Sequence, residues 1–183
     1  MKKLILLLTI LISIVIEAQN NDKLPYDEIT DLPEVYTAAN VTARMVDGLG
    51  FRYYWATEGL RSEDLIYKPS ETGRTSAETI DHIYGLSTFI LASIANEERQ
   101  KMTFDSFEEQ RKQTLLNLKK ASDILKNTED LSKLKAGKYP FWNMINGPIA
   151  DALWHCGQVV SMRRASGNPF NSKVSVFTGK VRE

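Results

Sequence analysis

The chain has 183 residues, 23 Lys and Arg against 23 Asp and Glu, and one cysteine, Cys156. That length suits one domain with a core of ordinary size. The balanced charge excludes the basic excess that phosphate backbones require, so no nucleic-acid partner is expected, and a lone cysteine excludes an intramolecular disulfide.

In chain order, the first element is a leader rather than a piece of the fold. Met1-Lys2-Lys3 supplies a positive start, Leu4 to Ile16 is almost wholly apolar, and small Ala18 follows Glu17. This is the order of a signal peptide over residues 1–18, with a mature chain that starts near Gln19 and is periplasmic or extracellular. The apolar run is short for a membrane span. A retained N-terminal anchor is the alternative; after cleavage no stable span is expected. Residues 19–34, polar with Pro25 and Pro33, read as an exposed lead-in to a helical domain over 35–183.

The first helix is predicted from about Val35 to Leu60, where Val41, Met45, Leu49, Tyr53, Ala56 and Leu60 recur at three- and four-residue steps. Gly48, Gly50 and Gly59 within it suggest close approach by a neighbouring helix. Arg61 to Arg74, with Pro69 and Gly73, forms a connection. The second helix opens on a capping box, Thr75 with Glu78, and runs to about Asn96 with an apolar stripe of Ile80, Ile83, Ile90 and Ile94. The third begins near Asp105 and carries Phe107, Thr114, Leu118, Ala121 and Leu125 along one seam. The fourth lies between Gly147-Pro148 and Gly167-Asn168-Pro169, proline in the first turn and glycine after the last. Beyond it, Val174, Val176 and Phe177 either pack across the helices or form a short extended piece. The prediction is an all-α four-helix bundle with a short extended C-terminal tail.

The two histidines, His82 and His155, both fall inside predicted helices. Asp151 precedes His155 by four residues, so the two project from one side of the fourth helix. If helices two and four are neighbours, His82 faces that pair across the interior, as ligands on facing helices do in metal-binding bundles. Two imidazoles and a carboxylate suit zinc, with a coordination position left for water or substrate; nickel, manganese and iron accept the same set. The competing reading makes each histidine an ordinary hydrogen-bonded core or surface residue. Gln158, one turn beyond His155, is placed to orient a ligand or to make a helix-packing hydrogen bond. Asp47, without an evident partner, is a further candidate for supporting the site, and Tyr139, Phe141 and Trp142 are candidates for roofing a pocket. Cys156 lies in an apolar stretch and reads as a small buried hydrophobe.

The segment Thr79-Ile80-Asp81-His82-Ile83 resembles the second helix of the DinB family, and Asp151-Ala152-Leu153-Trp154-His155-Cys156-Gly157-Gln158 resembles that family's fourth-helix motif. Glu63 to Pro69 is similar to the family's linker, and Arg163 to Pro169 to its Arg-rich helix end and Gly-x-Pro exit. The resemblance implies an up-and-down-related four-helix bundle that holds one divalent metal, commonly zinc or nickel, through three histidines. Carried over, His82 and His155 match two of the ligands, while Asp151 stands where the family usually has its third histidine and Cys156 where it has an arginine. A His2Asp site is then expected. The function implied is a metal-dependent hydrolase or thiol transferase acting on an unidentified small molecule. The alternative is a non-catalytic binding or stress-related bundle with a degenerate or structural metal site. A two-His, one-carboxylate iron oxygenase is allowed by ligand type but gains nothing from the resemblance. Homodimerisation through helix faces is common for such bundles, yet no apolar stripe singles out an interface.

Overall fold

A computed structural model describes residues 23–30 and 32–183; the leader read over residues 1–18 lies outside the described residues. The described chain is mostly helical, and four long helices carry it: α1 (Ala38–Thr57), α2 (Ser76–Ala95), α3 (Phe107–Lys126) and α4 (Ala150–Ala165). None of the described helices is long and apolar enough to cross a membrane.

Three of the four long helices begin at a capping side chain. Thr37 accepts the amide hydrogen of Asn40 at 3.0 Å to open α1. Thr75 and Glu78 form the expected capping box, with Thr75 Oγ1 accepting from the Glu78 amide at 3.1 Å and Glu78 Oε2 from the Thr75 amide at 2.8 Å. Ser106 caps α3 by accepting from the Glu109 amide at 3.2 Å, which sets its start just beyond Asp105. α2 stops at Asn96, which turns left-handed at φ 54°, and α4 is followed by Gly167 at φ 83°, where a side chain would be strained.

The entry to α4 departs from expectation. A short turn at Trp142–Met144 runs into a wide π-type turn at Ile145–Ile149, broken at Gly147 (φ −92°, ψ −108°), and the regular helix starts only at Ala150. Pro148 has no amide hydrogen and its ring crowds the preceding turn, so the backbone widens there instead of starting a tight first turn.

α1 packs against α3 and α4, and α2 packs against the same two. The order around the core is therefore α1–α3–α2–α4, which makes α2 and α4 neighbours and sets α1 diagonal to α2. A simple up-and-down succession would have put α1 beside α2. The connection over residues 58–75, which includes a short helix at Ser62–Ile66, joins the diagonal pair. Val46, Leu49, Tyr53, Ile83, Leu118 and Val159 are among the fully or almost fully buried side chains of the interior. Each such burial stabilises by roughly 1.5–3 kcal/mol relative to exposure.

That connection is tied down by charge. Asp64, with none of its surface exposed, accepts from the Arg61 amide at 2.8 Å, from Arg61 Nε and Nη2 at 3.0 and 2.8 Å, and from the Asn168 side-chain amide at 2.6 Å; the Ser166 hydroxyl donates to it as well. The Arg61 guanidinium, helped by Ser166, the Arg61 amide and Asn168, holds the Asp64 carboxyl well below the usual carboxylate range. Buried Arg163 donates to the carbonyls of Trp55, Ala56 and Glu58 at 3.1, 3.1 and 2.9 Å. Those carbonyls end α1, where intrahelical donors run out.

Within the described part of the lead-in, Lys23, Glu28, Thr30, Leu32 and Glu34 are exposed, but Tyr26 and Ile29 are buried. Tyr26 is buried, donates to Asp47 Oδ1 at 3.0 Å, and lies so close to Gly50 that a Cβ there would sit 2.4 Å from its ring. Ile29 packs with Phe51 and Val174, and its amide donates to the Gly179 carbonyl at 2.8 Å. The tail forms a small antiparallel hairpin, Val174–Ser175 with Lys180–Val181; Val174 is buried while Val176 and Phe177 face solvent. A second short hairpin pairs Lys135–Ala136 with Tyr139–Pro140.

Candidate metal centre

Because α2 and α4 are neighbours, His82 on α2 meets Asp151 and His155 on α4. His82 Nε2 lies 3.2 Å from Asp151 Oδ2, and His155 Nε2 lies 3.3 Å from Asp151 Oδ1. The two imidazole rings stand edge to face with centroids 4.6 Å apart. One ligand atom from each residue lies within 4.8 Å of the others. Donors about 2.0–2.2 Å from a shared ion at tetrahedral angles would be spaced about 3.3–3.6 Å apart. The two carboxylate–imidazole separations are close to that spacing, each to a different oxygen of Asp151, so the three residues could hold a divalent ion once one oxygen and both imidazoles turn towards it.

Gln158 lies within hydrogen-bond reach of His155. Its Oε1 accepts from His155 Nδ1 at 2.7 Å. With the Nδ1 proton committed to Gln158, Nε2 keeps its lone pair and faces Asp151, the tautomer a metal ligand requires. Asp151 sits in the first turn of α4, which runs on from the π-type turn whose carbonyls pair the Ala150 amide.

The three ligand residues are half-buried rather than enclosed, with side-chain exposures of 37% for His82, 42% for Asp151 and 15% for His155. They line an open cleft of about 1000 Å³, joined there by Tyr67 and Arg74 from the connection and by Trp154 and Gln158 from α4. Sequence reasoning passed over Tyr67, Arg74 and Trp154. The first two lie in a segment without periodicity, and the third looked like one more apolar residue of a helix.

Other candidates fall elsewhere. Asp47 is buried between Tyr26 and Lys126, whose Nζ lies 3.3 Å from Asp47 Oδ2, so it serves the lead-in and not the metal ligands. Phe141 is buried in the core, while Tyr139 and Trp142 are exposed, and none of the three lines the cleft. Cys156 is buried as expected. Burial pushes its thiol up to about 12, and it borders a separate cavity of about 240 Å³ beside Phe51 and Trp55.

No family model matches the chain, and neither a curated protein nor a solved structure matches it.

Proposed function

We propose that this chain is a DinB-like four-helix bundle acting, after export, as a divalent-metal-dependent enzyme of the hydrolase or thiol-transferase type. The observation that carries the reading is the convergence of His82, Asp151 and His155 on the wall of one open cleft. The resemblance of the two helix motifs points the same way. His82 and His155 offer Nε2 and Asp151 a carboxylate oxygen, a set that suits zinc or nickel and also accepts manganese or iron. A bound divalent ion supplies Lewis acidity, which lowers the pKa of a coordinated water or thiol towards neutrality.

The chain's own groups do the remaining work. Gln158 holds the His155 ring in one tautomer and one orientation. Asp151 brings a negative charge that offsets part of an ion's field. The open side of the cleft admits a small molecule to the ligand cluster. Low-molecular-weight thiols are more oxidised outside the cytoplasm, which favours water over thiol as the activated group.

Elemental analysis of protein purified without chelator or affinity-tag metal, beside His82→Ala, tests the reading. About one ion per chain in wild type and none in the variant is expected. If wild type binds none of zinc, nickel or manganese when these are added, the metal site fails and a non-catalytic binding bundle becomes the better account. Catalysis is tested separately. Asp151→Ala and His155→Ala should keep the fold and lose both metal and hydrolytic or thiol-transfer turnover; turnover that survives metal loss would remove the enzyme proposal.

A further inference from the structure

Two polar groups in the cleft are left over once the metal ligands are assigned. Tyr67 and Arg74 both line the cleft, and neither side chain has a hydrogen-bond or ion-pair partner among the described residues. The carboxylate that feels the Arg74 charge, Glu78, is already engaged by the Thr75 amide at 2.8 Å and the Thr75 hydroxyl at 3.2 Å. The Arg74 side chain, on the cleft wall, is therefore not committed to Glu78 by a hydrogen bond.

An exposed arginine is ordinary by itself; its surroundings are not. Among the described residues, Asp151 is the only carboxylate on the cleft wall, and it belongs to the proposed ligand cluster. With a divalent ion in place the cleft is net positive. Trp154, adjacent in sequence to His155, lines the same wall with 73% of its surface exposed, although a ring of that size normally buries most of its area. Gly157 lies beside it, and a Cβ there would meet nothing within 4 Å, so the wall around the indole is open.

We propose that Tyr67 and Arg74 form the anion-binding end of this cleft, and that its substrate is a small organic carboxylate whose flat apolar body lies against Trp154. One planar guanidinium and one hydroxyl match a carboxylate, which takes two parallel N–H donors and a third hydrogen bond. A phosphate dianion would call for more positive charge than this end of the cleft holds. The carboxylate anchors the molecule at the connection, and its reacting group is directed to the ligand cluster. This assignment rests on the proposed function for the reacting end alone; the anchoring end stands on Tyr67 and Arg74.

Calorimetric titration with 3-phenylpropionate and its neutral amide, 3-phenylpropionamide, separates the two ends. Zinc-loaded wild type should bind the acid more tightly than the amide. Arg74→Ala should loosen the acid by about tenfold or more and leave the amide unchanged, since a charge-assisted hydrogen bond is lost. Tyr67→Phe should show a smaller loss in the same direction. Trp154→Ala should weaken acid and amide equally, and unchanged affinity there overturns the placement of the apolar body. The Arg74→Ala effect should persist in a His82→Ala background, where the metal is gone. If acid and amide keep the same ratio in wild type and Arg74→Ala, the carboxylate is held elsewhere and the anchor is wrong, while metal content measured on the same samples judges the centre independently. If wild type binds no acid at millimolar concentration, the substrate class is wrong. If zinc fails to bind but the Arg74 effect remains, the metal reading falls and the anchor stands.

Discussion

Asp64 and Asp151 are the same residue type, and each gathers partners from distant segments, but they end in opposite states. Asp64 is fully buried, and Arg61, Ser166 and Asn168 supply the donors around its two oxygens. Asp151 keeps 42% of its side chain exposed and touches two imidazoles that can act as ligands. A carboxylate whose acceptor capacity is filled by the protein is committed to the fold. One that stays exposed and meets only two imidazole nitrogens is available for chemistry. Burial and partner saturation, rather than charge, separate the two.

The sharpest way to break this comparison is to truncate both. Asp64→Ala should lower unfolding stability by about 3 kcal/mol, the scale of breaking a buried charge pair, as read from denaturant midpoints. Asp151→Ala in metal-free protein should change stability by less than about 0.5 kcal/mol, as exposed substitutions usually do. Equal losses would mean that Asp151 is structural as well.

pH sharpens the same contrast. The Asp64 carboxyl is held below its ordinary value in the folded state, so in the acid range the unfolded chain binds more protons. Its contribution is complete above the unfolded value of about 3.9 and is lost as pH falls further, through the folded value. The stability gap between wild type and Asp64→Ala should therefore be larger at pH 6 than at pH 3.

A smaller effect belongs to Gln158→Ala, which should leave the fold intact and weaken metal binding about tenfold, because the His155 ring loses its orienting acceptor. Competition with a chromophoric chelator measures it. Smallest of all is Cys156. Its thiol, buried and pushed up to about 12, should resist alkylation at pH 8 in native protein, and Cys156→Ala should leave metal uptake unchanged.

What could be read in the sequence was what repeats or is local. The apolar periods of the long helices and the Thr75–Glu78 box are properties of neighbouring residues, and the structure follows them closely. The meeting of His82, Asp151 and His155 was legible because Asp151 and His155 share a helix face, and because His82 was the one other histidine. Long-range partners were not. Asp47 looked unpaired only because Tyr26 and Lys126 are remote along the chain. Tyr67 and Arg74 come from a segment without a period, where spacing carries no facing information. The onset of α4 was misplaced because Pro148 is compatible with a helical first turn locally, whereas the backbone at Gly147 turns out of the helix.

The contact between Ile29 and Gly179 has a kinetic consequence. Tyr26 can settle against Gly50 once α1 has formed, but the Ile29 amide has no Gly179 carbonyl to meet until nearly all of the described chain has been synthesised. A larger side chain at residue 179 would be strained, since a Cβ would sit 3.0 Å from Ile29 and φ is 70°. The first described segment and the last thus close on each other late in synthesis, and a nascent chain halted before residue 179 leaves Ile29 and Phe51 without the hairpin that covers them.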